Sequence, residues 1–153
     1  MKRLGILGGT FNPVHNGHLA LADLATASLG LDLLLFVPAA QPALVGGLAV
    51  CAEDRLAMTR LAVQGNRRYA VSDIEPRWEG TCFTVDVLRE LSSEFGAGVE
   101  FFFITGSDVL RGFRNWKEPE AIRRIARLAV SPDRTTSGAG ASWRQPFPRL
   151  LGG

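Results

Sequence analysis

Apolar positions along this chain follow two periods that take turns. Residues 3–7 are a short apolar run that ends at Gly8-Gly9 and predict a strand. Residues 17–29 are rich in Leu and Ala and stop at Gly30. There Leu21, Leu24, Ala25 and Ser28 make one stripe and Leu19, Ala22 and Leu29 another, interrupted by Thr26. That is the pattern of a helix buried on most sides. Residues 33–37 are continuously apolar and stop at Pro38, as in a strand covered on both faces. Residues 38–51, with two prolines and Gly46-Gly47, read as a loop. A helix is expected over 53–64, with Gly65 as its stop, and a third strand over 69–72. The clearest helix covers 84–95, with Leu88, Leu91 and Phe95 on one face and Asp86, Arg89, Glu90 and Glu94 elsewhere. The strongest strand is VEFFFIT at 99–105. A helical turn at 107–113, a helix at 119–125 and a strand at 127–130 complete the series.

Strand and helix thus alternate through residue 130, which predicts an α/β fold of parallel βαβ units with helices on both faces of the sheet. Such open sheets take ligands beyond the carboxyl ends of their strands, near the point where strand order reverses. From 131 the periodicity is lost: SPDRTTSGAGASWRQPFPRLLGG sustains neither period. The expected organisation is one α/β domain over 1–130 and an irregular tail, loop or disordered, over 131–153. A truncation or a shifted reading frame would produce such a tail.

Composition changes little in this picture. Of 153 residues, 46% are hydrophobic and 21% charged, and the formal net charge is +2. That balance gives no argument for nucleic acid or for a membrane surface. The two cysteines, Cys51 and Cys82, match no metal or redox spacing and are expected as buried free thiols. With no signal peptide pattern and no apolar run of membrane-spanning length, a cytoplasmic location is expected. Arg123, Arg124 and Arg127 read as a solvated helix face.

The chemistry concentrates in GGTFNPVHNGH, residues 8–18. It is neither a P-loop nor the G-x-G-x-x-G fingerprint. Its parts are nonetheless those of a phosphate site. Gly8 and Gly9 leave the backbone bare after a strand, and Thr10 adds a hydroxyl. The helix start at Gly17-His18 is expected to offer free N–H groups and the positive end of a dipole. His15 and His18 can both aim at one anion and donate to charge developing on phosphorus. Half of a metal site is the other reading of two histidines three apart, but no third ligand stands nearby.

The stretch resembles the signature of the HxGH nucleotidyltransferases, and among them the bacterial nicotinate-nucleotide adenylyltransferases. FVPAAQP at 36–42, TCFTVDVLREL at 81–91 and FFFITGSDVLRGFRNWKEPEAI at 101–122 are similar to further segments of that family, in order and at suitable spacing. The resemblance implies a Rossmann-like fold of nucleotidyltransferase type, incomplete at its C-terminus. It implies that the backbone around Gly8, Gly9, Thr10 and Phe11, with Gly17, lies against substrate phosphates. His15 and His18 would contact the ATP phosphates. Phe83 and Thr84 would bind the nicotinate carboxylate at a helix start, and Trp116 would stack on the pyridine ring. Gly106 and Asp108 would serve the nucleotide. The implied partners are ATP and nicotinate mononucleotide, with Mg²⁺ carried on ATP, and association into a homo-oligomer is left open.

The residues themselves agree, and each has a plainer explanation beside it. A helix start suits a carboxylate, but Thr84 could be a simple N-cap. A Trp face suits a flat, electron-poor ring, and RNWKEP is a polar setting for a core tryptophan. Asp108 could accept from ribose or merely favour a helix dipole.

The chain departs from the family pattern in three places. Residues 43–47 read ALVGG where a basic loop is usual, Phe83 stands where tyrosine is usual, and the second signature, I-S-x-T-x-[IV]-R, is absent. Arg134, Arg144 and Arg149 do not stand in that pattern. A sister transferase acting on phosphopantetheine or forming cytidylyl products, or a non-catalytic nucleotide-binding remnant, therefore stays open beside the adenylyltransferase.

Overall fold

In a computed structural model the described residues are 2–11, 13–40, 43–45, 48–106 and 111–131, with backbone alone at 43–45, 48 and 49. The chain runs β1 (Arg3–Gly9), α1 (Asn16–Leu29), β2 (Leu33–Pro38), β3 (Ala43–Val45), β4 (Leu48–Val50), α2 (Ala52–Val63), β5 (Tyr69–Val71), α3 (Ile74–Arg77), α4 (Thr84–Phe95), β6 (Glu100–Thr105), a 3₁₀ turn (Phe113–Asn115), α5 (Pro119–Ile125) and β7 (Ala126–Val130). Five strands form one sheet in the order β5-β2-β1-β6-β7, and every neighbouring pair is parallel.

The alternation of side chains decides the two faces. Leu4, Ile6, Leu35, Val37, Phe101 and Phe103 point to one side, where Ile74, Leu88, Leu91 and Ile122 from α3, α4 and α5 cover them. Leu7, Leu34, Phe36, Phe102 and Ile104 point to the other, beneath Ala22 and Ala25 of α1 and Val63 of α2. The α/β expectation thus stands, with helices on both faces. Strand order reverses between β1 and β6, so their carboxyl ends frame the crevice.

Four expectations change. Residues 38–51 are not simply a loop, because β3 and β4 pair antiparallel, Val45 facing Leu48. ALV and LAV on either side of Gly46-Gly47 are a hairpin signal too short to show a period. Helix α1 is not buried on most sides: only Ala22, Ala25 and Thr26 are, while Ala20, Ala27 and Ser28 face out. Its apparent all-round apolarity comes from exposed alanines, which suit a helix wherever they lie. The cysteines are free but not buried, Cys51 being exposed and Cys82 half-buried. Arg127 is on β7, not on a helix, and its Nε stands 2.9 Å from the Glu100 carboxylate. The helical turn expected at 107–113 falls mostly outside the described residues, as does the tail beyond 131. Among the described residues no helix is long and apolar enough to cross a membrane.

Candidate active site

A cleft of about 370 Å³ opens at the carboxyl ends of β1, β2 and β6. Gly8 and Gly9 from β1, His18 from α1, Thr84 from α4, Gly106 after β6 and Trp116 all border it. These are six of the positions singled out in the sequence, brought to one place from five separate stretches. A second chamber of about 350 Å³ shares Thr84 and Trp116 and is lined besides by Cys82, Phe83, Asn115 and Lys117.

The histidine wall is built from its own helix start. His15 is the N-cap of α1, and its Nδ1 accepts from the Gly17 N–H at 3.0 Å. His18 Nδ1 accepts from the His15 N–H at 3.1 Å. The two rings stack with centroids 3.8 Å apart and planes 25° from parallel. Since each Nδ1 is an acceptor, the neutral rings carry their proton on Nε2 and offer it as a donor. Burial first, and the charge of His15 second, hold His18 below the usual imidazole value of 6.5.

This corrects one expectation. The Gly17 and His18 amides are not free for an anion; the first is taken by the His15 ring and the second by the His15 carbonyl at 3.0 Å. The helix start presents imidazole N–H groups in place of its own amides. Nor do both rings border the cleft: His18 does, and His15 stands behind it.

The glycines divide by reason. A Cβ on Gly17 would sit 2.8 Å from His15 Cε1, so the bare position is what lets that ring lie over the helix. A Cβ on Gly9 would meet the Phe11 ring at 3.1 Å. At Gly8 the nearest described contact would be the Val37 carbonyl at 3.9 Å, which is ordinary packing. No described protein atom demands a glycine there; the open side is the cleft. Phe11 is buried, with φ of +49°, an uncommon conformation for a residue with a side chain. Its ring backs His18 edge-on at 5.0 Å and packs on Phe36 at 5.7 Å.

Across the cleft, α4 begins at Thr84 with Phe83 as its N-cap. Thr84 is therefore the first helical residue and not the cap. Phe cannot accept a hydrogen bond, so no side chain caps this start. Asp86 reaches back to the Phe83 N–H at 2.9 Å and fixes the entry of the chain. Trp116 is both core and wall: its ring meets Phe103 edge-on at 5.8 Å and Phe113 at 5.2 Å. Lys117 Nζ lies 4.8 Å from the centre of the Phe83 ring. Asp108 lies outside the described residues.

Two residues were missed. Glu75 of α3 lines the cleft, and burial pushes its carboxyl above the ordinary carboxylate range against the opposing Ala40 N–H and Arg55 charge. Arg55 of α2 is wholly buried. Its Nη1 donates to the carbonyls of Thr10 and Ala39, both at 2.8 Å, and its Nε to that of Val50 at 3.2 Å. In the sequence, AEDRLAM reads as an exposed, charged first turn, and nothing there marks the arginine as buried. Burial, with Glu75 and Asp86, pushes the Cys82 thiol up to about 11, which disfavours its thiolate.

A sequence model of the family described as cytidylyltransferase-like matches residues 6–144. The chain belongs to the cytidylyltransferase-like family. Within it, the chain is similar to proteins named "Probable nicotinate-nucleotide adenylyltransferase". One from Thermomicrobium roseum is 42% identical over 132 residues, 86% of this chain and 61% of its own. One from Geotalea daltonii is 44% identical over 131 residues, 84% of this chain and 59% of its own. The chain thus spans about three fifths of the length of the curated relatives it matches. Among solved structures, Plasmodium falciparum nicotinic acid mononucleotide adenylyltransferase complexed with APC aligns with a TM-score of 0.68 at 20% identity, covering 85% of this chain and 63% of that one. The same enzyme complexed with NaAD aligns at 0.66. These alignments speak for the nucleotidyltransferase fold.

Proposed function

We propose that the cleft transfers the adenylyl group of ATP to nicotinate mononucleotide, giving deamido-NAD and pyrophosphate. The observation that carries this is one cleft with two unlike anion-facing walls. One wall is the His18 imidazole, held as an Nε2–H donor with the His15 ring stacked on it, and the other is a helix start with an apolar cap residue beside a tryptophan. The likeness to proteins named as nicotinate-nucleotide adenylyltransferases supports the same reading.

The mononucleotide phosphate oxygen attacks the α-phosphorus of ATP in line. A new P–O bond forms as the bond to the β-phosphate oxygen breaks, and pyrophosphate leaves with that electron pair. Neither step needs a covalent enzyme intermediate, so positioning and charge stabilisation carry the catalysis. The bare backbone at Gly8 and Gly9 admits the phosphates. His18, supported by His15, donates to the oxygens on which charge grows. The α4 start at Phe83-Thr84 takes the nicotinate carboxylate, and Trp116 takes the ring face. Gly106 and Asp108 serve the nucleotide. Mg²⁺ enters on the ATP phosphates as part of that substrate; among the described residues no group of three His, Cys, Asp or Glu could hold a metal apart from it.

The test is pyrophosphate release from ATP, with nicotinate mononucleotide, nicotinamide mononucleotide and phosphopantetheine each offered as acceptor. Release with nicotinate mononucleotide and loss of it in His18→Ala are expected. Release with phosphopantetheine instead would move the reading to a sister transferase.

A further inference from the structure

We infer that Arg55 is the positioning residue of the ATP phosphate loop, and that its buried charge takes the place of the basic loop this chain lacks. The inference rests on the adenylyl-transfer reading and deepens it at the ATP side.

Arg55 is held where a charge is costly to keep, with no exposed surface, one turn into α2. Three backbone carbonyls from three separate connections converge on it: Thr10 after β1, Ala39 after β2, and Val50 at the end of β4. The Arg55 backbone is itself held, its carbonyl accepting from the buried Thr59 hydroxyl at 2.8 Å. One planar fork thereby ties the exits of β1 and β2, two of the three strands whose ends border the cleft.

What it does to those exits follows from peptide geometry. A trans peptide points its C=O and N–H in opposite directions. At Ala39-Ala40 the rule is visible: the Ala39 carbonyl goes to Arg55, so the Ala40 N–H is turned away from it, toward the side where Glu75 lines the cleft. The Ala39 N–H in turn donates to the Gly9 carbonyl at 2.9 Å, which binds this exit to the β1 exit. At Thr10-Phe11 the same rule applies. With the Thr10 carbonyl drawn to Arg55, the Phe11 N–H is turned away from it, and the left-handed Phe11 is kept in its conformation. Without the fork, nothing else described binds the Thr10 carbonyl, and the strained residue after it would relax. The Phe11 ring that backs His18 would relax with it.

The charge adds a second effect. Residues 43–47 carry no basic side chain, yet a polyphosphate over Gly8 and Gly9 needs compensating positive potential. Arg55 supplies it from a buried position on the Thr10 carbonyl, where solvent screens it little, and the burial that pushes the Glu75 carboxyl toward its neutral form limits how far that group offsets it.

The test compares Arg55→Lys and Arg55→Met in the full chain. Equilibrium affinities for ATP and for nicotinate mononucleotide are measured separately, with a melting curve for each variant. Arg55→Met loses both fork and charge and is expected to melt well below the parent. Arg55→Lys keeps the charge but not the fork; it is expected to stay folded, to bind ATP about tenfold more weakly, and to bind the mononucleotide within about twofold of the parent. Equal ATP affinity in Arg55→Lys and the parent overturns the inference, and so does an equal loss for both ligands, which marks a general weakening of the fold. ATP binding that depends on Arg55, without adenylyl transfer in the parent, would sink the transfer reading and leave Arg55 in its place. A parent chain that binds no ATP overturns both.

Discussion

Two helix starts face each other across the cleft, and they are finished in opposite ways. The start of α1 is closed by its own histidines, each Nδ1 accepting a backbone amide. The start of α4 has Asp86 on the Phe83 N–H in the same way, but its cap residue is apolar and closes none of the first-turn amides. A closed start hands its donor function to an imidazole Nε2–H, here that of His18, which borders the cleft and can titrate. An open start keeps short, fixed, non-titrating amide donors. The first arrangement suits charge that grows during a reaction, and the second suits a carboxylate that only needs to be held. The same element, a helix N-terminus, thus provides two chemistries according to what stands at its cap.

The largest effect should come from emptying the closed start. His18→Ala removes the ring that borders the cleft and the acceptor of the His15 N–H together. Pyrophosphate release should fall by about 10²–10³ in kcat, the scale for one preorganised donor at a developing charge. A fall in ATP affinity with kcat intact would make His18 a binding residue only.

Closing the open start should matter less but more selectively. Phe83→Ser gives α4 a hydroxyl cap, stabilising the fold by about 0.5–1 kcal/mol while competing for the donors the carboxylate uses. The KM for nicotinate mononucleotide should rise about tenfold, with the KM for ATP unmoved. Phe83→Ala, which loses the ring and gains no cap, separates the two causes; an equal rise in KM there would trace the effect to the ring and its Lys117 contact.

Gly17→Ala probes the stacked pair itself. A helix gains about 1 kcal/mol from Ala over Gly, but the new Cβ displaces the His15 ring and costs a cap of similar size. Stability should therefore hardly change, while transfer drops about fivefold as His18 loses the ring stacked on it. Unchanged transfer would show that His15 is dispensable behind His18.

How far this was legible differs along the chain for physical reasons. The four longer strands of the sheet and the helix at 84–95 show because continuous or periodic burial writes itself into apolar spacing, while the three half-buried residues of β5 show only through their β-favouring Tyr and Val. The β3-β4 hairpin did not, because three residues a side cannot display a period. The positions that line the cleft were found through motif resemblance, but their geometry was not. That His15 caps its own helix, and that Phe83 and not Thr84 caps the other, depends on dihedral angles the sequence does not state. Arg55 was invisible because its role is set by three carbonyls, and every residue has one. Glu75 was hidden in the turn-rich stretch before 84, where only the fold brings it to the cleft.

The smallest effect is the one that separates a titrating start from a fixed one. His18 is held below 6.5 by burial and by the charge of His15. Between that lowered folded value and 6.5, the unfolded chain binds the proton and the folded chain does not, so stability rises with pH across this window. The contribution is fully present above 6.5 and is lost as pH falls through the folded value. Protonation there also places an Nδ1–H against the His15 N–H, so the cap and the proton exclude each other. The acid limb of kcat/KM, which reports the free enzyme, should accordingly lie below 6.5. The α4 start carries no imidazole, and its one first-turn acid, Asp86, is bonded to the Phe83 N–H, so mononucleotide affinity should not follow this limb. Urea unfolding of the parent and of His18→Asn, which keeps an acceptor but cannot titrate, should diverge only on the acid side. Parallel pH dependence in the two proteins would mean that the closed start does not titrate, and the contrast between the two walls would reduce to geometry.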